Sequence, residues 1–145
     1  MTDIVITSAK RTPIGKFLGS LSNFSASELG KFAIDSVIEE CKLDKNRIDE
    51  VIMGQVLTGG AGQNPARQAS MLAGIPIEKS ALTVNQVCGS GLRAVSLAAQ
   101  SILTNQSNIV VAGFDGKYTR GIVVRHPGRQ PWVIFIEGSQ PICLQ

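Results

Sequence analysis

The sequence lacks the features that mark several classes of protein. Its 145 residues contain three widely spaced cysteines and one histidine, so neither a disulfide framework nor a zinc site is expected. Aromatic residues make up only 5% and the net charge of +3 comes from scattered residues, unlike the basic, aromatic-rich surface of a nucleic-acid binder. No apolar run approaches the roughly 20 residues that span a bilayer, and no signal-peptide pattern opens the chain. We therefore expect a cytoplasmic protein with no membrane or nucleic-acid partner and no bound metal.

The composition that is present indicates one folded domain followed by a different tail. Hydrophobic residues make up 43% and charged residues 17%, which is typical of a chain with a buried core. The single histidine, tryptophan and tyrosine and three of the six prolines all follow residue 114. We predict a domain over residues 1–113 and a divergent tail over residues 114–145.

Strand and helix patterns alternate along the first 113 residues. Strands are predicted over residues 4–9, 50–57, 81–87 and 108–112. Between them, the Ser25 and Glu28 pair forms a capping box, and Asn64 followed by Pro65 indicates a second helix start. A third helix pattern covers residues 92–103. Alternating strands and helices predict an α/β fold, a βαβαβ-type half with a mostly parallel mixed sheet and covering helices.

Cys88 is the most informative residue for chemistry. It follows the third predicted strand directly and opens the next helix, so we expect its thiol at the carboxyl edge of the sheet, where α/β folds bind ligands. Unpaired amides and the positive end of the helix dipole favour the nucleophilic thiolate there and can bind an oxyanion. Gly89 and Gly91 would let a substrate approach the backbone closely. On the local pattern alone, a merely structural role for Cys88 stays open.

A dinucleotide site is the competing interpretation of the same segment. Gly89-x-Gly91-x-x-Ala94 follows a strand and opens a helix, and Asp115 lies at about the distance expected of a ribose ligand. That fingerprint normally occupies the first βαβ unit of its domain, whereas two strands and two helices precede it here. The match is therefore weak evidence for a nucleotide cofactor.

Three motifs then occur in a fixed order along the chain. They are Lys-Arg-Thr-Pro-Ile-Gly at 10–15, Gly-Gln-Asn-Pro-Ala-Arg-Gln at 62–68 and Val-Asn-Gln-Val-Cys-Gly-Ser-Gly-Leu at 84–92. Together they resemble the amino-terminal half of the thiolases, the acetyl-CoA acetyltransferases, over residues 1 to about 113. The resemblance implies that Cys88 is the nucleophile that accepts an acyl group, and it disfavours the dinucleotide interpretation. It also implies a coenzyme A thioester as substrate, with no permanently bound cofactor.

The resemblance ends after residue 113. The family continues with another glycine and a short acidic, methionine-containing motif, whereas Phe114 and Asp115 follow here. The family's second half and its CoA-binding loop domain have no counterpart, and neither His126 nor Cys143 lies in a matching context for its later histidine and cysteine. A frameshifted or rearranged gene end would produce such a tail, and so would a genuine extension. Because the family packs two halves together, we expect an exposed apolar face that promotes homo-oligomers or other association.

The sequence thus predicts a thiolase-type acyltransferase of fatty acid metabolism, truncated and weak or inactive alone. The family's chemistry is a Claisen condensation and its reverse. Two alternatives stay open: a non-catalytic remnant that acts as an interaction module, and a ketoacyl-synthase-like condensing enzyme. The motifs at 10–15 and 62–68 favour a thiolase. Acyl chain length and CoA-binding residues are not assigned by the sequence.

Overall fold

A computed structural model describes residues 4–16 and 18–115 and the strand backbone of residues 132–137. Its elements in chain order are β1 (Val5–Arg11), α1 (Ala26–Glu40), β2 (Glu50–Gly54), α2 (Pro65–Leu72), β3 (Ser80–Val84), α3 (Ser90–Leu103), β4 (Ile109–Phe114) and β5 (Trp132–Glu137). A short 3-10 helix, Lys45–Arg47, lies between α1 and β2. The predicted alternation of strands and helices is confirmed.

The strands form one mixed sheet in the order β1-β5-β4-β2-β3 within the described residues. β2 pairs in parallel with β3 and β4, whereas β5 pairs antiparallel with both β1 and β4. β1 therefore runs in the same direction as β4, and the predicted α/β class with a mostly parallel mixed sheet is confirmed. β5 comes from the segment predicted to be a tail, and the domain boundary at residue 113 stays a prediction.

Helices cover both faces of the sheet. Successive side chains of a strand point to opposite faces, so Val51 and Met53 of β2 pack against α1 and α2 while Ile52 packs against α3. We call these the α1/α2 face and the α3 face. On the α3 face, the small side chains of Ala94 and Ala98 lie against the sheet. No helix in the described part of the chain is long and apolar enough to cross a membrane.

Both predicted helix starts are confirmed. The Ser25 hydroxyl accepts a bond from the Glu28 N–H (3.2 Å), and the Ser25 N–H donates to the Glu28 carboxylate (2.6 Å). Asn64 caps α2 by accepting from the Arg67 N–H (3.2 Å), and Pro65 is the first helical residue. Cys41 is buried, as its helical spacing predicts.

Candidate functional site

The loop between β3 and α3 carries Cys88. The expectation that the strand runs directly into Cys88 is wrong, because β3 ends at Val84 and residues 85–89 form a loop. The Asn85 side chain accepts a hydrogen bond from the Val87 N–H (2.9 Å), which turns the chain away from the strand ladder. Cys88 also precedes the helix: Gly89 is the N-cap of α3 and Ser90 its first residue.

Hydrogen bonds inside this loop use two of the amides that the sequence analysis expected to be unpaired. The Gly89 N–H donates to the Gln86 carbonyl (3.0 Å), and the Ser90 N–H donates to the Val87 carbonyl (3.1 Å). The Ser90 hydroxyl also accepts from the Gln86 N–H (2.9 Å) and donates to the Val87 carbonyl (2.6 Å). The amides of Gly89 and Ser90 are therefore already hydrogen-bonded within the loop. The expectation that these amides are unpaired is wrong. No side chain of the described residues caps the amino terminus of α3.

Val87, directly before Cys88, has a backbone conformation that is rare for its residue type. Its φ of 49° lies in the left-handed region, where a β-branched residue clashes with its own backbone. Such conformations persist only where surrounding contacts hold them, and they are concentrated at functional sites. The Cys88 side chain beside it is exposed, so its sulfur can be reached by a substrate.

The start of α3 packs directly against the carboxyl end of β2. A Cβ atom added at Gly54 would lie 2.5 Å from the Ser90 carbonyl carbon and 2.7 Å from the Gly91 nitrogen. Only glycine at position 54 allows this approach, since real Cβ atoms essentially never come so close. Gly91 is buried in this contact, whereas Gly89 is half-buried. The loop thus lies at the carboxyl edge of the sheet, as α/β sites do.

The polar residues of the 62–68 motif hold backbone carbonyls. The Asn64 amide donates to the Ala81 carbonyl (2.9 Å), and the Arg67 guanidinium donates to the carbonyls of Lys79 (2.6 Å) and Ile77. These contacts fix β3 and the segment that leads into it. The motif therefore anchors the strand from which the Cys88 loop extends.

Asp115 lies on the other face of the sheet from α3. Its N–H donates to the Gly54 carbonyl (3.1 Å), and its Cβ lies 3.0 Å from where a Cβ of Gly30 on α1 would be. Both carboxyl oxygens are buried without a hydrogen-bond partner. Burial raises the pKa of Asp115 to about 7. A buried carboxyl on the α1/α2 face cannot hold a ribose beside Gly89 and Gly91, which removes the support for a dinucleotide site.

No cluster of three or more His, Cys, Asp or Glu side chains among the described residues could hold a metal ion. His126 and Cys143 lie outside the described residues. Asn85 and Ser90, which shape the Cys88 loop, were not singled out by sequence reasoning, although an Asn two residues before a turn is a recognisable signal.

The chain is similar to known proteins over most of its length. The family model described as "Thiolase, N-terminal domain" matches residues 4–118. The chain is 54% identical over 113 residues to an acetyl-CoA acetyltransferase of Paracoccus denitrificans, covering 78% of this chain and 29% of the relative. An acetyl-CoA acetyltransferase of Cupriavidus necator is 55% identical over the same share of each chain.

A solved structure is also similar to the chain. It is the crystal structure of human mitochondrial 3-ketoacyl-CoA thiolase in complex with CoA, with a TM-score of 0.73 and 35% identity. The match covers 76% of this chain and 28% of that one. The chain therefore spans less than a third of the length of the relatives it matches.

Proposed function

The chain belongs to the thiolase family, and from this premise we propose that it performs the acyl-accepting step of the thiolase reaction at Cys88. In that step the Cys88 thiolate attacks the carbonyl carbon of an acyl-CoA thioester. A new carbon–sulfur bond forms, and CoA leaves as a thiolate that takes up a proton. The match of residues 4–118 to the thiolase N-terminal domain, with an exposed Cys88 at the start of α3, is the observation that carries this proposal.

The proposed roles of the neighbouring glycines follow from their positions. Half-buried Gly89 leaves room for the thioester beside the sulfur, because it has no side chain. Buried Gly91 allows α3 to begin against Gly54, which brings the positive end of the helix close to Cys88. That end of α3, uncapped by any described side chain, stabilises the charge that develops on the thioester oxygen.

The complete thiolase reaction is a further proposal, because the chain covers 29% of the length of its relatives. We propose that turnover by this chain alone is weak or absent, since the resemblance places a second cysteine and a histidine in the unmatched part of the family. The substrate is a CoA thioester rather than a bound cofactor, a proposal in line with the CoA complex of the similar human thiolase. We also propose that the chain functions in fatty acid metabolism and is located in the cytoplasm.

An interaction module is the second candidate function. Val87, Leu92 and Leu103 expose their apolar side chains by 62%, 73% and 57%, and all three lie on the loop or helix of the α3 face. Such a surface favours association, either as a homo-oligomer or with another protein. The names of the matched relatives, acetyl-CoA acetyltransferase and thiolase, favour thiolase chemistry over a ketoacyl-synthase-like reaction.

Acetylation of the purified chain tests the proposal. The full chain is incubated with acetyl-CoA and examined by intact-mass spectrometry and peptide mapping, beside a Cys88→Ala variant. We expect a single acetyl group on Cys88 in the original chain and none in the variant. A folded chain that is not acetylated would reject the acyl-accepting step and leave the interaction module.

A further inference from the structure

Asn85 ties the Cys88 loop to the segment that follows β2. Its side-chain amide donates to the Val56 carbonyl (3.0 Å), and its side-chain oxygen accepts from the Val87 N–H (2.9 Å). The side chain is exposed, so these two bonds rather than core packing define its place. Asn85 thus holds the amide side of Val87.

Ser90 holds the carbonyl side of the same residue. Its hydroxyl and its N–H both donate to the Val87 carbonyl, at 2.6 and 3.1 Å, and the hydroxyl also accepts from the Gln86 N–H (2.9 Å). Ser90 is fully buried against Gly54, so it cannot move without moving the start of α3. The loop is therefore anchored to the segment that follows β2 by Asn85 and to α3 by Ser90.

These contacts determine where the Cys88 sulfur lies. The carbonyl of Val87 belongs to the planar peptide group that joins it to Cys88, so fixing that carbonyl fixes the peptide plane. The left-handed φ of 49° at Val87 is unfavourable for a β-branched residue and needs such contacts to persist. Loss of either side chain would let Val87 relax to an ordinary conformation and would rotate Cys88 away from the start of α3.

We propose that Asn85 and Ser90 are positioning residues that hold the Cys88 thiol at the amino terminus of α3, an inference that rests on the proposed acyl transfer at Cys88. In this role their contribution is to keep the sulfur beside the start of α3, where the thioester can be approached.

Four variants of the full chain test this role: Asn85→Ala, Asn85→Asp, Ser90→Ala and, as a control, Ser70→Ala. Ser70 is also a fully buried helical serine, but its hydroxyl has no hydrogen-bond partner, so its loss should leave Cys88 unaffected. Asn85→Asp keeps the oxygen that accepts from the Val87 N–H, whereas Asn85→Ala removes both bonds. Two readouts are measured: the rate of Cys88 acetylation by acetyl-CoA, and the pH profile of Cys88 alkylation by iodoacetamide.

We expect Asn85→Ala and Ser90→Ala to slow acetylation about tenfold, because misplacing a reacting group costs rate steeply. The alkylation profile should change in the same two variants, because the thiol leaves its place beside the start of α3. Asn85→Asp keeps the acceptor of the Val87 N–H but loses the donor to the Val56 carbonyl and adds a negative charge, so it should recover only part of the rate, whereas Ser70→Ala should match the original. Partial recovery by the aspartate would show that the bond to the Val87 N–H, rather than the bulk of the side chain, positions Cys88.

The outcomes separate this inference from the proposed function. If the original chain is not acetylated, the acyl transfer fails, and the alkylation profiles alone decide the positioning role. An unchanged alkylation profile in Asn85→Ala would overturn it, and the exposed position of Asn85 makes that variant safe for folding even if Ser90→Ala unfolds. Nuclear magnetic resonance adds a direct check: the strong intraresidue contact between the amide and α protons that marks positive φ should be lost at Val87 in Asn85→Ala.

Discussion

The two faces of the sheet are packed in different ways. The α1/α2 face buries a large cluster built around long side chains such as Ile34, Val37 and Met53, all fully buried. The α3 face buries a smaller cluster that includes the small side chains of Ala94 and Ala98. Apolar burial is the main stabilising contribution to folding, so the first face stabilises the domain while the second carries the proposed chemistry.

The α1/α2 face, which buries the larger apolar cluster, also contains buried polar atoms without hydrogen-bond partners. Buried polar atoms without hydrogen-bond partners include the Gln55 side-chain oxygen, the Ser70 hydroxyl and both oxygens of Asp115. Gln55 and Asp115 follow the paired ends of β2 and β4, so they lie side by side where those strands end. Each such group costs free energy because it has lost its hydration. The α1/α2 face therefore contains, where β2 and β4 end, buried polar groups without hydrogen-bond partners. We call Gln55 and Asp115 the polar defect of this face.

Truncation of one core isoleucine on each face tests the packing contrast and should give the largest effect. Ile34→Ala on the α1/α2 face should lower the free energy of unfolding by about 4 kcal/mol, and Ile102→Ala on the α3 face by about 2 kcal/mol. The reason is that the cavity on the α3 face lies near an exposed surface and can collapse. Urea unfolding followed by circular dichroism measures both values. Equal losses would show that the two faces contribute alike.

The pH dependence of stability tests the polar defect and should give the next largest effect. The folded chain holds the Asp115 proton up to a pKa of about 7, whereas the unfolded chain releases it near the ordinary value of 3.8. Stability should therefore fall as pH rises from about 4 to 7 and stay low above pH 7, by on the order of 4 kcal/mol. Asp115→Asn should flatten this dependence in urea titrations at pH 5 and pH 8. If the stability of Asp115→Asn still depends on pH in the same way, another titratable group must be responsible.

Substitution on the exposed part of the α3 face should give the smallest change in stability. Leu92 is 73% exposed, so Leu92→Ser should alter the free energy of unfolding by less than about 0.5 kcal/mol. If this face drives association, the same change should weaken self-association in sedimentation velocity experiments. Lys42→Ser, an exposed change in the turn that follows α1, is the control. Unaltered association in Leu92→Ser would place the contact elsewhere.

Local signals in the sequence predicted much of the fold. The capping box at Ser25 and the Asn64–Pro65 pair are confirmed because each depends on residues close together in the chain. The end of β3 was predicted three residues too late, because Val87 is β-branched and nothing in its residue type marks a positive φ. That conformation is set by Asn85 and Ser90, whose combined effect depends on the folded loop.

Features that depend on contacts between distant residues were not predicted from local sequence patterns. Asp115 occupies the spacing of a ribose ligand, but the alternation of side chains along β4 turns it toward α1. The β5 segment is rich in β-branched and aromatic residues, which is a strand signal, yet no local pattern indicates its place between β1 and β4. Cys88 became the candidate nucleophile through its predicted place between a strand and a helix, and the resemblance carried by three motifs favoured that role. Its catalytic role stays a prediction.

The position of β5 also governs when the sheet can close during synthesis. Val5 of β1 pairs with Glu137 of β5, and Phe114 of β4 pairs with Trp132, so β1 joins the other strands only through a segment made much later. While a ribosome makes the chain, β2, β3 and β4 can pair with one another first. β1 can pair only after β5 has been made. Such distant pairings slow folding because a long loop has to close before any contact is gained. Among the described strands, β1 is thus made first and paired last, which leaves its edge open to chaperones or to other chains in the interval.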